Sequence, residues 1–587
     1  MEIIMKNSLL CKAMTLLLTT VMMIVFCMPI ISQAAEPDGS TDIGERIEAF
    51  VEENKDTMAG LMVSVADRND EIYTGYFGFA DMENHIPVDD ETVMEWGSIS
   101  KIQVWVCVMQ LKEKGLIDLN EDIRTYLPEG FFTQLKYEKP ITMTDLMNHK
   151  AGFDEVPFVW AGSREQLKSL EDWLKCTEPA QVYEPGVIAS YSNWGAALAA
   201  YIVERVSGMP YEKYVRENIF APLGMEHTSI MPDASDNEWV LNKRKELKTY
   251  SADLCGEVLS YGDYYCYCYP AGACMSTMAD MQKFARALLD ENSVLFEKTE
   301  THRELLSPTD HYGDTGVGRS FHGLCYNVFM KGTVIGHLGE SIGCSSALWM
   351  DIENGISITL ITNQHDESNF VNGLPELVFE RYEGQLPKLE GIVQDARAVY
   401  TGPLKLQRVF GIQPITTDPT QIVHTRYTLS DENGIGRLEA GQSDLIVRKT
   451  GEILPDIISI AVYILSIFMS AVLFIIAVIK AVQYRKRRLS LWSMISTGIQ
   501  FIPVIVMYRM IVQLVLEQTP FLGIETLRFL FVPVFVLLVA NIALIIYGLK
   551  NISQSGISKL RSVMTLMTLV FSTYGIIYWE LFEFWRI

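Results

Sequence analysis

Four apolar runs of about membrane-spanning length fill the last quarter of the 587-residue chain, at residues 457–479, 491–516, 527–549 and 563–578. A stretch of roughly 20 predominantly apolar residues can cross a bilayer as a helix. The C-terminal part is therefore expected to be an α-helical membrane bundle. Cytoplasmic loops are rich in lysine and arginine, and that bias sets orientation. Lys480, Arg485, Lys486, Arg487 and Arg488 lie between the first and second runs, and Lys550, Lys559 and Arg561 between the third and fourth. Both loops are expected in the cytoplasm. The connection through Glu517 and Glu525, the tail with Glu580 and Glu583, and residues 35–455 then lie outside. Arg509 and Asn541 fall inside apolar runs; Arg509 is near an outer end and can snorkel, so neither signals transport.

The opposite end gives the same topology. Residues 1–34 read as a signal peptide, with Lys6 and Lys12 before an apolar stretch and Ser32-Gln33-Ala34 as a small-residue cleavage site. The expected location is the cell membrane, multi-pass, with the large domain extracytoplasmic. A formal net charge of −24 and a strongest basic cluster in a cytoplasmic loop give no signal for nucleic acid. Cys107, Cys176, Cys255, Cys266, Cys268, Cys274, Cys325 and Cys344 form an even set that permits disulfides without fixing their connectivity. Cys266-Tyr267-Cys268 lacks metal-ligand spacing, and no metal or organic cofactor is signalled.

Between these ends, residues 35–385 read as one two-lobed domain. Residues 44–55 have the pattern of an amphipathic helix. Residues 61–66 and 72–79 suggest a hairpin, and strand signals return only at 333–338, 345–350 and 356–362. Strands at both ends with a helix-rich middle predict one antiparallel sheet built from both termini. An all-helical lobe would pack beside it, with the functional cleft at the seam. Residues 386–453, with Pro387, Pro403, Pro414 and Pro419, read as a linker or small β-rich module before the membrane domain at 454–587.

Three short motifs carry chemistry. Ser98-Ile99-Ser100-Lys101 opens a long apolar helix, so Ser98 and Lys101, three apart, share a face. An amine kept neutral by burial can take a serine proton and make the hydroxyl a nucleophile. Tyr191-Ser192-Asn193 follows, preceding a helix from Gly195; tyrosine can shuttle a proton, and asparagine can hold a lysine or a substrate amide. The third is Gly336-His337-Leu338-Gly339 at the end of a strand signal, followed by Glu340. Glycine on an edge strand admits a substrate backbone. The Glu340 N–H can join that of Ser98 in an oxyanion hole.

In this order the three motifs resemble the class C β-lactamase and penicillin-binding-protein superfamily of active-site serine hydrolases, over roughly residues 40–380. Smaller matches add to it: residues 116–122 leading to Tyr126-Leu127-Pro128, Leu146 with His149 and Gly152, Pro222-Leu223-Gly224-Met225 with Thr228, Ala271-Gly272 with Ser276, Thr277 and Asp280, and Ile361-Thr362-Asn363. The resemblance implies an α/β (α+β) serine β-lactamase-like domain. It also implies that Ser98 is acylated, Lys101 helps deprotonate it, and Tyr191 serves the leaving group and then the deacylating water. Asn193, His337, Gly339 and Glu340 would bind substrate, while His149 would be structural. Two departures stand out. Efficient β-lactamases carry lysine-threonine-glycine where this chain has His337-Leu338-Gly339, a form resembling certain D,D-peptidases, D-amino-acid peptidases and esterases. Lys150-Ala151 replaces the usual hydroxyl residues after His149.

The expected function is a membrane-anchored extracytoplasmic serine hydrolase acting through an acyl-enzyme on D-amino-acid-containing peptides or esters. The chain also resembles peptidases that unmask prodrugs by removing an N-acyl-D-asparagine cap, although those have three spanning helices. A non-enzymatic alternative is a slowly deacylating β-lactam- or peptidoglycan-binding sensor or scaffold. The expected partners are a D-amino-acid peptide or ester, the lipid membrane, and a membrane protein reached through the helix bundle.

Overall fold

The computed structural model describes residues 42–583 apart from 155, 157–158, 253–263, 383–390, 398–400, 403–404, 406–411, 416–428, 433–434, 440, 485–486, 512–523 and 552–558. The signal peptide at 1–34, Cys255, Arg485, Lys486 and Glu517 lie outside the described residues.

A nine-stranded antiparallel sheet joins the two ends of the large domain. Its strands are β1 (Gly60–Asp67), β2 (Glu71–Asp81), β3 (Ile86–Pro87), β4 (Asp310–His311), β5 (Gly318–Phe321), β6 (Leu324–Tyr326), β7 (Val334–Glu340), β8 (Ser345–Asp351) and β9 (Ile356–Thr362), in the order β4-β5-β6-β7-β8-β9-β1-β2-β3. β1 pairs with β2 through a turn in which Asp67 Oδ1 accepts from the N–H groups of Asn69 and Asp70 at 2.7 Å each. On its other side β1 pairs with β9, Leu61 opposite Thr362. Flanked on both sides and covered on both faces, β1 is buried almost throughout, as its apolar run demands.

One face of the sheet is covered by α1 (Ile43–Asn54), which turns Ile47 and Val51 inward against Val63, Val65 and Leu360. The other face meets the helical lobe. There α2 (Ser100–Glu113) is buried from Ser100 to Leu111, so its apolar circumference matches a helix enclosed on all sides. α3 (Asn193–Ser207) packs on α2, and Gly208 closes it at φ 71°, a left-handed C-terminal cap that glycine adopts without strain. All of this agrees with the sheet-from-both-ends reading.

Residues 391–447 contain a second sheet of five strands. It docks on the large domain through a small apolar cluster in which Val187 and Ile188 meet Ala396 and Ile446. Seven cysteines among the described residues are free thiols; the Sγ atoms of Cys266 and Cys268 are 3.5 Å apart.

Among the described residues, three C-terminal helices are long and apolar enough to cross a membrane: Gly451–Gln483, Phe529–Asn551 and Lys559–Tyr578. The second run, from 491, is helical through its described residues, with one tighter turn inside it. It forms Arg487–Gly498, a 3-10 turn Ile499–Phe501, and Ile502–Ile511. Pro503 accounts for the tighter turn: it lacks an N–H, and its ring opposes the carbonyl four residues back, at Ile499. Asn541 is buried between helices and exchanges hydrogen bonds with Gln500, at 2.7 and 3.3 Å, so its polarity serves helix packing.

Candidate active site

Ser98 sits within a single 3-10 turn, Gly97–Ile99, that runs directly into α2. Residues three apart nearly eclipse in such a turn, which brings Ser98 and Lys101 to one side. The turn is fixed from several directions. Ser100 Oγ donates to Gly97 O at 2.6 Å, Cys274 N donates to Ser100 Oγ at 3.1 Å, and Trp96 N donates to Cys274 O at 2.8 Å. Gly97 has φ 53°, and a Cβ there would meet the backbone N of Glu340 at 2.5 Å. Glycine thus lets the end of β7 lie against the turn that carries Ser98.

The Lys101 side chain is 0% exposed. Its Nζ lies 2.9 Å from Ser98 Oγ, 2.8 Å from Asn193 Oδ1 and 2.7 Å from Ala271 O. Asn193 and the Ala271 carbonyl hold the nitrogen still while its third direction faces Ser98. The Tyr191 hydroxyl donates to Ser98 Oγ at 2.8 Å, and Lys101 Nζ stands 4.8 Å from the centre of the Tyr191 ring. Residues from two separated motifs therefore converge on one half-buried hydroxyl, a constellation of nucleophile, amine and proton shuttle.

The third motif forms the opposite wall. In β7, Gly336, His337, Leu338 and Gly339 pair with Trp349, Leu348, Ala347 and Ser346. A Cβ on Gly339 would fall 2.0 Å from Trp96 O, the same carbonyl that accepts from Ser346 Oγ at 2.8 Å. Glu340 contributes its backbone beside Gly97. Its carboxylate is turned away, accepting from Ser345 Oγ at 2.9 Å and pairing with His365 at 3.0 Å. Hydrogen bonding to Glu340 holds the His365 imidazole up at about 9.

His337 is buried, and its ring centre is 6.1 Å from that of Tyr191. Burial and the nearby Lys101 push its imidazole down to about 3, so it is neutral. Its Nδ1 contacts the Leu338 carbonyl, which only a protonated nitrogen can do. The tautomer assigned by that contact leaves Nε2 as a hydrogen-bond acceptor, and Nε2 has no partner among the described residues.

His149, expected to be structural, supports the segment that carries Tyr191. Its ring packs against Tyr191 with centres 4.4 Å apart, and its Nδ1 accepts from Ser192 N at 3.1 Å. The residue adopts φ 54°, a strained conformation for a side-chain-bearing residue, and its carbonyl accepts from Ser190 N at 2.8 Å. Burial first, then Lys101, His337 and Arg319, hold this imidazole well below its ordinary value. The Ala271 carbonyl is a further Lys101 partner that no motif announces, although Ala271-Gly272 belongs to the family resemblance.

Residues 46–382 match the family profile described as Beta-lactamase. Penicillin-binding protein 4* of Bacillus subtilis (strain 168) is 24% identical over 321 residues, covering 52% of this chain and 69% of that protein. The D-alanyl-D-alanine-carboxypeptidase/endopeptidase AmpH of Escherichia coli (strain K12) is 25% identical over 266 residues, covering 44% and 64% respectively. Among solved structures, D-amino acid amidase from Ochrobactrum anthropi SV3 complexed with D-phenylalanine is 24% identical with a TM-score of 0.48, covering 58% of this chain and 97% of that one.

Proposed function

The chain belongs to the β-lactamase family, and on that premise we propose a membrane-anchored serine hydrolase, working outside the cytoplasm, whose nucleophile is Ser98. The observation that carries the reading is the convergence of Lys101 Nζ and the Tyr191 hydroxyl on Ser98 Oγ, at 2.9 and 2.8 Å. Ser98 Oγ attacks the substrate carbonyl carbon while its proton passes to Lys101 Nζ. The N–H groups of Ser98 and Glu340 hold the tetrahedral oxyanion. As the C–N or C–O bond breaks, Tyr191 gives its proton to the departing amine or alcohol and recovers one from Lys101. Water then attacks the acyl carbon, and its proton travels through Tyr191 to Lys101. Ser98 Oγ leaves with that proton, releasing the acid and restoring the enzyme.

The proposed substrates are peptides or esters containing D-amino acids, a class consistent with the D-alanyl-D-alanine named for one relative. His337 supports a substrate other than a β-lactam drug. A neutral imidazole presenting an acceptor suits an amine or amide N–H, whereas a drug carboxylate calls for a cation.

Intact mass of the full chain after a fluorophosphonate, and separately after a penicillin, tests the reading beside Ser98→Ala. One adduct on the natural chain that vanishes in Ser98→Ala supports it. No adduct in a folded sample overturns it. A penicillin adduct that persists without turnover of any ester would favour the sensor reading.

A further inference from the structure

The segment that presents Tyr191 has no regular structure of its own until α3 begins at Asn193. Its backbone N–H groups are nonetheless all taken, and the partners alternate. Ala189 N donates to Asp444 Oδ2 at 3.0 Å, and Tyr191 N donates to Ser443 Oγ at 3.1 Å. Between and after them, Ser190 N and Ser192 N donate to His149 O and Nδ1 at 2.8 and 3.1 Å. Asp444 N returns a bond to Ala189 O at 2.8 Å. One edge of the segment is therefore held by the large domain and the other by the small β-rich module. The distances to Ser443 and Asp444 cross about 250 residues of sequence, 252 and 255 by number.

Asp444 is itself built in. It is fully buried, with one carboxylate oxygen 2.7 Å from Arg319 Nη2, and Arg319 Nε donates to Gly441 O at 2.6 Å. Arg319 is buried too and faces Asp310 at 3.8 Å, which pairs with Lys150 at 2.6 Å. Lys150 directly follows His149 in sequence. The ionic chain Lys150–Asp310–Arg319–Asp444 thus ties the two holders of the Tyr191 segment to each other. It also gives Lys150, the residue that departs from the family pattern, a structural partner.

We propose that Ser443 and Asp444 are positioning residues for Tyr191, so that the module at 391–447 completes the active site. The inference rests on the reading of Tyr191 as the proton shuttle. A hydroxyl must stay within hydrogen-bond reach of Ser98 to pass protons, and a misplacement of about 1 Å can cost a hundredfold in rate. Two anchors on opposite edges of an irregular segment fix both its position and its rotation.

The test uses the full chain in detergent micelles with p-nitrophenyl acetate, whose initial burst reports acylation and whose steady rate reports deacylation. Ser443→Ala and Asp444→Ala are each made in the natural chain and in Tyr191→Phe, with thermal unfolding followed alongside. The expected result is a steady rate reduced about tenfold or more in the natural background but changed less than about twofold in Tyr191→Phe, since residues acting through one group are not additive. Ser443→Thr, which keeps the hydroxyl, restores the rate. If Asp444→Ala does not fold, Ser443→Ala decides alone. Equal losses in both backgrounds, or no loss in a folded variant, overturn the positioning role while leaving Tyr191 catalytic. A Tyr191→Phe chain with natural turnover removes the shuttle reading and this inference with it, as does a natural chain that neither turns over the ester nor takes a fluorophosphonate.

Discussion

At the scale of single residues, the chemistry turns on one amine with three neighbours. Lys101 is held by Asn193 and the Ala271 carbonyl so that its remaining direction meets Ser98. Proton transfer by a placed side chain contributes on the order of 10²–10⁴-fold. Lys101→Ala and Tyr191→Phe are each expected to lose that much in kcat on p-nitrophenyl acetate, with KM little changed. Lys101→Arg is expected to rescue nothing, because a guanidinium keeps its proton throughout the working range. The histidines make a separate prediction about stability. His337, at about 3 when folded against an ordinary 6.5, binds its proton more readily in the unfolded chain. Stability is therefore full above about pH 6.5 and declines as pH falls toward 3. His149 acts in the same direction. His365, raised to about 9, has the opposite sign: its contribution is complete below about 6.5 and is lost as pH rises through 9. Melting temperatures across pH 4–9 should fall on both sides of neutrality. His337→Gln should flatten the acid limb and His365→Gln the alkaline one. Most of the site residues were readable because S-x-x-K, Y-x-N and H-x-G are short and local. The contribution of Ser443 and Asp444 was not, since no motif surrounds them and they reach Tyr191 only through the fold.

At the scale of elements, the site is a meeting of one turn and one strand end, made possible by two glycines. Gly97 admits the Glu340 backbone and Gly339 admits the Trp96 carbonyl. Gly339→Ala places a Cβ 2.0 Å from Trp96 O, so β7 must shift away from the Ser98 turn. The expected outcome is loss of fluorophosphonate labelling with destabilisation of about 1–3 kcal/mol, the usual cost of overpacking; urea unfolding together with intact mass checks both. Periodicity identified α1, α2 and the strands β1, β2, β7, β8 and β9 because each is long and strongly patterned. It does not reveal the 3-10 turn inside the second apolar run, where hydropathy stays high across Gly498 to Pro503. Hydropathy measures affinity for lipid, and it is blind to a missing N–H.

At the scale of the molecule, two assemblies meet near the module. Lys405 Nζ and Gly402 N both donate to Glu580, just beyond the last apolar helix, at 2.6 and 2.8 Å, while neighbouring Thr401 donates to Asp154 of the large domain at 3.0 Å. The proposed topology, with residues 35–455 outside, predicts that a protease added to intact cells removes the large domain. A membrane-impermeant thiol reagent should label a cysteine placed at Lys405 only after local unfolding, and one placed at Arg488 only after permeabilisation. Labelling of position 488 in intact cells would reverse the topology.

The central sheet closes through partners drawn from far ends of the domain: Ala59 N donates to the Gln364 side chain across 305 positions. During synthesis β1 and β2 emerge early, yet the edge of β1 that receives β9 stays vacant until residue 362 has been made. Every nascent chain thus spends about half of its elongation with one strand edge open. Such an edge invites pairing with another chain, so the interval between those two events is when a copy of this protein is most exposed to aggregation and most in need of a chaperone.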